Sequence, residues 1–309
     1  MSQKVVYAVT SESQDFYSVL TRVSAAALRM SNPDVKIVVA SDPQTYHALQ
    51  SGSDPLLTEI DELIRIETPP GESSFRNRWV KTKLRSIIEG KFLFLDSDTL
   101  VKADISEIFA IEADIAGAAN HSARLYEEQI WVEDRKAFET MGWDVHPEIY
   151  INGGVIFYND TEKAFAFGEE WHKLWRASFE KLNRYRDQPA LNASLRAAQP
   201  ELFVLDNSYN AQFKVYPSAA KNAKILHYYS ANNDETHTAF EAVVKDVLHG
   251  GRLTKTAISK LLKSEHPWKN NTILDNILAK RLLRQRNYEG FAWDWLRSTG
   301  RWQILTGRQ

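Results

Sequence analysis

Apolar residues fall in short blocks through the first 230 positions, separated by polar, glycine- or proline-containing segments. The blocks at 4–9, 35–40, 63–67, 92–95, 115–119, 155–158, 202–205 and 224–228 predict strands. Several are apolar throughout rather than alternating, which is the pattern of strands covered on both faces. Between the first two blocks, Phe16, Val19, Leu20, Val23, Ala26, Ala27 and Met30 recur at helical spacing and predict an amphipathic helix. Strand, helix and strand within about 40 residues make a βαβ unit, so the chain is expected to be α/β, with a mixed, mostly parallel sheet flanked by helices. Residues 162–181 predict a second surface helix, and 190–198 a further one that Asp187 can cap, with Pro189 in its first turn. After about 250 the strand blocks stop, and helical patterns follow at 258–263 and 273–284. The expected division is a main domain over 1–250 and a helical C-terminal extension over 251–309.

One block ends abruptly. In GKFLFLDSDTLV, four apolar residues run straight into Asp96, Ser97 and Asp98. Ligands of open α/β sheets sit beyond the C-terminal ends of the strands. Residues i and i+2 of a strand point the same way, so Asp96 and Asp98 can face one target. Two adjacent carboxylates repel, and a divalent cation relieves that repulsion. Mg²⁺ and Mn²⁺ take hard oxygen ligands, often one or two carboxylates together with substrate phosphates. The bland reading is a solvated turn, but this is the only Asp-x-Asp in the chain and it ends the most apolar block. The same pattern is the nucleophile motif of haloacid-dehalogenase-type phosphatases. Against that reading, Leu100 stands where the motif wants Thr or Val, and a βαβ unit precedes it.

Composition narrows the classes. The 309 residues are 43% hydrophobic and 25% charged, enough for a substantial core. No apolar run approaches the ~18 residues of a membrane span. There is no cysteine, which excludes disulfides and thiolate metal sites. The N-terminus lacks a signal-peptide pattern, so a cytoplasmic protein is expected. Charge is uneven: residues 251–309 hold 12 Lys/Arg against 4 Asp/Glu, whereas the first 250 residues carry a net charge of −10. The same 59 residues hold four of the nine tryptophans, Trp268, Trp293, Trp295 and Trp302. Basic residues mixed with interfacial aromatics fit a peripheral contact with anionic headgroups on the inner face of the membrane, or a helix packed on the main domain. An acidic main domain without a reading motif argues against nucleic acid.

Five segments, in order, carry a resemblance to the family 8 retaining glycosyltransferases: VVYAVTS, WVKTKLRSIIEGKFLFLDSDTLV, YINGGVIFYN, DQPALN and FKVYPSAAKNAKILHYYS. They span about three quarters of the chain. The resemblance implies a GT-A type nucleotide-sugar-binding fold and transfer of a hexose from a UDP-sugar to a glycan or glycolipid hydroxyl. It implies Mn²⁺ (or Mg²⁺) on Asp96, Asp98 and His227, and catalytic residues Asp187 and Gln188. Donor contacts are implied at Thr10, Ser11, Arg78, Ser97, Asn152, Gly153 and Gly154, and at either Lys81 or Lys83. An imidazole at the end of an apolar block is an acceptable third ligand for Mn²⁺.

The pattern breaks after His227. The family follows this histidine with Gly-x-x-Lys-Pro-Trp, whose lysine touches the donor phosphates. Here Tyr-Tyr-Ser-Ala-Asn-Asn follows, and a His-Pro-Trp-Lys occurs only at 266–269. Two classes therefore stand side by side: an active metal-dependent glycosyltransferase, and a catalytically silent protein of the same fold that binds a glycan or partner. The phosphatase is the lesser alternative.

Overall fold

The computed structural model describes residues 3–123, 125–146, 148–213, 217–229, 238–264 and 267. The strands are β1 (Lys4–Val9), β2 (Lys36–Ser41), β3 (Glu62–Arg65), β4 (Phe92–Leu95), β5 (Thr99–Val101), β6 (Ile115–Ala119), β7 (Ile151–Tyr158), β8 (Leu202–Leu205) and β9 (Ile225–His227). The helices are α1 (Phe16–Ser31), α2 (Pro43–Ser51), α3 (Ser73–Ile87), α4 (Tyr126–Gln129), α5 (Val132–Met141), α6 (Glu162–Leu182), α7 (Gln188–Ala198), α8 (Ala239–Leu248) and α9 (Lys255–Lys263). The expected helical pattern at 273–284 lies outside the described residues.

Seven strands form one sheet in the order β3-β2-β1-β4-β7-β6-β8. β1, β2, β3 and β4 run parallel, β7 is antiparallel to both its neighbours, and β8 is parallel to β6. The mixed, mostly parallel α/β sheet read from the sequence is the one found. Side-chain alternation divides the core between the two faces. Val5, Tyr7, Leu93, Leu95, Val155 and Phe157 pack on one face with Ala25 and Leu28 of α1 and Leu49 of α2. Val6, Phe92, Phe94, Ile156 and Tyr158 pack on the other with Val80 and Leu84 of α3, Trp171 and Trp175 of α6, and Leu191 of α7.

β4 sits in the middle of this stack, and all four of its residues are buried. Each such side chain contributes about 1.5–3 kcal/mol by burial, so the end of β4 is a rigid platform. β7 is longer than its apolar block suggested. It begins at Ile151, paired with Ala119 of β6, and includes Asn152, Gly153 and Gly154, all buried, before the ladder with β4 starts at Val155.

A second, two-stranded sheet pairs β5 with β9 antiparallel, setting Thr99 opposite His227. Leu100 and Leu226 of this ribbon join the outer stripe of α1 (Val19, Leu20, Val23) in a third cluster. Phe240 and Val244 of α8 and Ile258 and Leu261 of α9 complete it. No helix among the described residues is long and apolar enough to cross a membrane.

Candidate active site

The chain turns sharply after Leu95. Asp96 to Asp98 leave the strand rather than extending it, so the two carboxylates do not owe their common direction to strand parity. Backbone bonds fix the turn on both sides: Asp96 N–H donates to Gly154 O (2.8 Å), Thr99 N–H to Asp96 O (3.1 Å) and Tyr228 N–H to Asp98 O (2.8 Å). The β5–β9 pairing then brings His227 alongside, with its Nε2 3.2 Å from Asp98 Oδ1. One ligating atom from each of Asp96, Asp98 and His227 lies within 4.8 Å of the others.

This donor set suits a hard divalent cation. His227 Nδ1 lies 2.8 Å from Asn210 Oδ1, which engages the other side of the imidazole. A neutral ring that donates there turns a bare Nε2 lone pair toward a carboxylate oxygen. Two acceptors at that separation repel unless a positive charge joins them. The backbone is also cut to fit the ring: a Cβ at Gly154 would lie 2.2 Å from His227 Cε1. Gly154 therefore seats the histidine.

Behind the turn lies a charge cluster built around buried Lys81 and Asp187. Lys81, 4% exposed, places Nζ 2.9 Å from Asp96 Oδ1 and 3.3 Å from Asp187 Oδ2. Arg78 Nε lies 3.2 Å from Asp187 Oδ1. Burial by itself would raise the Asp187 pKa, but Lys81 and Arg78 outweigh it and hold this carboxyl below its usual range. Burial likewise opposes the Arg78 charge, and Asp187, Asp96 and Asp98 together outweigh it and hold its pKa above the usual value. Lys83, two positions on and therefore on the other side of α3, stacks over the Trp79 indole at 5.6 Å. Of the two lysines, Lys81 is the one brought to the carboxylates.

Asp187 stands at the N-cap of α7, where the sequence put it, yet its side chain makes no capping bond. It is drawn to the two cations, and charge-assisted contacts exceed a neutral cap bond in strength. Gln188 opens α7, and its Oε1 accepts from Asn152 Nδ2 (3.2 Å) and Gly153 N–H (3.4 Å).

Arg78, Asp96, Asp98 and Asp187 line a cleft of about 400 Å³ whose walls also include Val9, Thr10, Tyr17, Asn77, Ser97 and Arg186. Thr10 hydroxyl bonds to Ser73, and Ser97 hydroxyl accepts from Thr21. Ser11 sits beside the cleft, its hydroxyl donating to Asp15, the residue that caps α1. Gly153 is close to the charge cluster, since a Cβ there would lie 3.8 Å from Lys81 Nζ. The His-Pro-Trp-Lys segment lies outside the described residues except for Pro267.

Several residues of the site gave no signal in the sequence. Tyr17 lines the cleft and is half exposed. Its sole trace is that it stands off the apolar stripe of α1. Arg186 faces the cleft while gripping buried Asp134 with two nitrogens (2.6 and 3.0 Å). Asn120 and Asn210 come to the site from distant loops, and nothing local marks them.

Residues 87–233 match the family model of glycosyl transferase family 8. No curated protein matches the sequence. Among solved structures, the galactosyltransferase LgtC in complex with donor and acceptor sugar analogs aligns with TM-score 0.55 and 16% identity, over 84% of this chain and 100% of its own. The glycosyltransferase GlyE of Streptococcus pneumoniae TIGR4 aligns with TM-score 0.53 and 18% identity, over 88% of this chain and 67% of its own. At such identities these likenesses speak to the fold, which is the GT-A fold of glycosyltransferases. The segment that carries Asp96, Asp98, Asp187 and His227 is thus the one that matches glycosyl transferase family 8, within a chain of the GT-A fold.

Proposed function

We propose that this enzyme is metal-dependent, takes a hexose from a UDP-sugar and transfers it, with retention, to a hydroxyl of a glycan or glycolipid. The observation that carries the reading is the cleft that joins Asp96 and Asp98, two of the three groups of the donor set with His227, to an Asp187 kept ionised by Lys81 and Arg78. Mn²⁺ or Mg²⁺ held by the three ligands supplies Lewis-acid stabilisation of the diphosphate charge.

The chain's own groups supply the rest. Thr10 and Tyr17 line the same cleft and would meet the nucleobase, and Ser97 stands between the two carboxylates in the turn. Arg78 faces the same space with its charge held on, and takes the part of the lysine missing after His227. Asp187, ionised beside the transferred sugar, stabilises the oxocarbenium-like character at the anomeric carbon. Gln188, its carboxamide oxygen fixed by Asn152 and Gly153, orients the sugar. The acceptor hydroxyl adds on the face from which the diphosphate leaves, so configuration is retained.

The lysine-rich α9, with Lys255, Lys260 and Lys263, precedes the basic, tryptophan-rich remainder of the extension 251–309. Together they support a peripheral contact with anionic lipid on the inner membrane face, near a glycolipid acceptor. Salt-sensitive co-sedimentation with vesicles containing anionic lipid supports this contact, and its absence refutes it.

Calorimetry of UDP with and without Mn²⁺, on wild type and Asp98→Asn, tests the donor site. Manganese-dependent binding lost in the variant is expected, followed by turnover of a UDP-sugar. UDP binding indifferent to both metal and mutation overturns the reading. The absent Lys-Pro-Trp favours one competitor, a fold that binds its donor without turnover, and its signature is metal-dependent binding with no transfer.

A further inference from the structure

His227 is oriented by a chain of carboxamides whose direction is set at both ends by backbone groups. At one end, Gly154 N–H donates to Asn152 Oδ1 at 2.9 Å. A backbone N–H can only donate, so the Asn152 atom facing it is the oxygen. That oxygen also accepts from Asn210 Nδ2 at 3.0 Å. Asn210 has thus committed its amino group to Asn152 and must present Oδ1 to His227 Nδ1, 2.8 Å away. An oxygen there can only accept, so the imidazole donates from Nδ1.

The other end agrees. Asn120 Nδ2 donates to the Gln129 carbonyl at 2.6 Å, so Asn120 turns its Oδ1 to Asn152 Nδ2 at 3.0 Å. The second Asn152 amino hydrogen goes to Gln188 Oε1 at 3.2 Å. Both lone pairs and both amino hydrogens of the Asn152 carboxamide are therefore used inside the protein, and the side chain is 8% exposed. Asn152 is a hub, with no polar capacity left for a direct contact to the donor sugar.

We propose that Asn210, itself oriented by Asn152, is the positioning residue that holds His227 as the Nδ1–H tautomer, leaving the Nε2 lone pair aimed at the Asp96–Asp98 turn. The inference rests on the metal site proposed above for its purpose, though not for its geometry. Partners on the far side of a ligating histidine fix its tautomer and orientation and raise its basicity. The same hub pins Gln188, so the ligating histidine and the glutamine of the sugar site share one polar scaffold.

The test is heteronuclear NMR of the metal-free, histidine-¹⁵N-labelled full chain, with the His227 signals assigned by their loss in His227→Ala. Wild type is expected to show pyrrole-like Nδ1 and pyridine-like Nε2. Asn210→Leu is expected to shift His227 toward the Nε2–H form and to weaken Mn²⁺ binding, measured by electron paramagnetic resonance, by about 10- to 100-fold. Asn152→Asp keeps both accepting contacts and is expected to keep the wild-type tautomer. An Nε2–H ring in wild type overturns the proposal without any variant, as does an unchanged tautomer in folded Asn210→Leu. Should wild type show the Nδ1–H ring but bind no Mn²⁺, the positioning stands and the metal reading falls.

Discussion

Gly154→Ala isolates the fit between β7 and the imidazole. The added methyl would lie 2.2 Å from His227 Cε1 and 2.9 Å from each ring nitrogen. Ordinary carbon contacts begin near 3.5 Å, so the ring must retreat by about 1 Å or more. It has nowhere to go without loss. His227 is 3% exposed, bonded to Asn210 at 2.8 Å on one side and 3.2 Å from Asp98 on the other. Forcing a methyl into so tight a site costs about 1–3 kcal/mol of stability. The displaced Nε2 leaves the donor set, and Mn²⁺ affinity is expected to fall about 100-fold, or ~2.7 kcal/mol. The control is Gly153→Ala, where the nearest atom is Leu191 Cδ2 at 3.3 Å, at the end of a side chain that can yield. It is expected to leave Mn²⁺ affinity within about twofold. The assay is an Mn²⁺ titration followed by electron paramagnetic resonance, paired with thermal denaturation of the same samples. A double-mutant cycle sharpens it: once His227→Ala has removed the ring, Gly154→Ala should cost almost nothing further in stability or affinity. Wild-type Mn²⁺ affinity in Gly154→Ala, or full additivity in the cycle, would refute the reasoning.

Two further outcomes follow from the charge map. Lys81→Met leaves Asp96 and buried Asp187 without their shared cation, and urea denaturation at pH 7 should show a loss of about 3 kcal/mol, with transfer activity reduced at least 100-fold. Lys83→Met, on the opposite side of α3, should stay within about 0.5 kcal/mol and keep wild-type turnover; equal effects at both positions would show that the helix faces are misassigned. His172 bonds to Thr82 at 2.8 Å, and its burial pushes its pKa down from 6.5 to about 4. The unfolded chain therefore binds this proton before the folded one does. Stability from the neutral ring is full above pH 6.5 and declines as pH falls toward 4, by on the order of 2 kcal/mol. His172→Gln should flatten that part of the stability–pH curve, measured by urea midpoints, and an unchanged slope would place the titration elsewhere.

The strands whose signal is local were legible. β1, β4 and β6 lie at the positions expected from their apolar blocks, because a strand covered on both faces writes its burial directly into consecutive residues. The same holds for the stripe of α1. β8 also lies where its block predicts, although it is an edge strand with Phe203 and Val204 half exposed. β7 was read short, because Asn152, Gly153 and Gly154 look like a break, and only the ladder contacts on either side of them, at Ile151 and from Val155 on, carry the strand through. The ribbon of β5 with β9 was invisible as a pair, since its two strands are separated by more than a hundred residues.

The site divides in the same way. The sequence alone determined that two carboxylates end the most apolar block, that an imidazole ends another, and that Asp187 precedes a helix, because each fact is set by neighbours along the chain. Only the tertiary structure decided that Lys81 rather than Lys83 meets the carboxylates, since the choice depends on which side of α3 packs against β4. Only it drew the Asp187 side chain away from its cap, because two cations from another helix outcompete a local amide. And only it joined Asn120, Asn152, Asn210 and His227 into one directed chain, from segments far apart in sequence. Hydrogen-bond direction is a property of atoms in contact, and contact is what folding supplies.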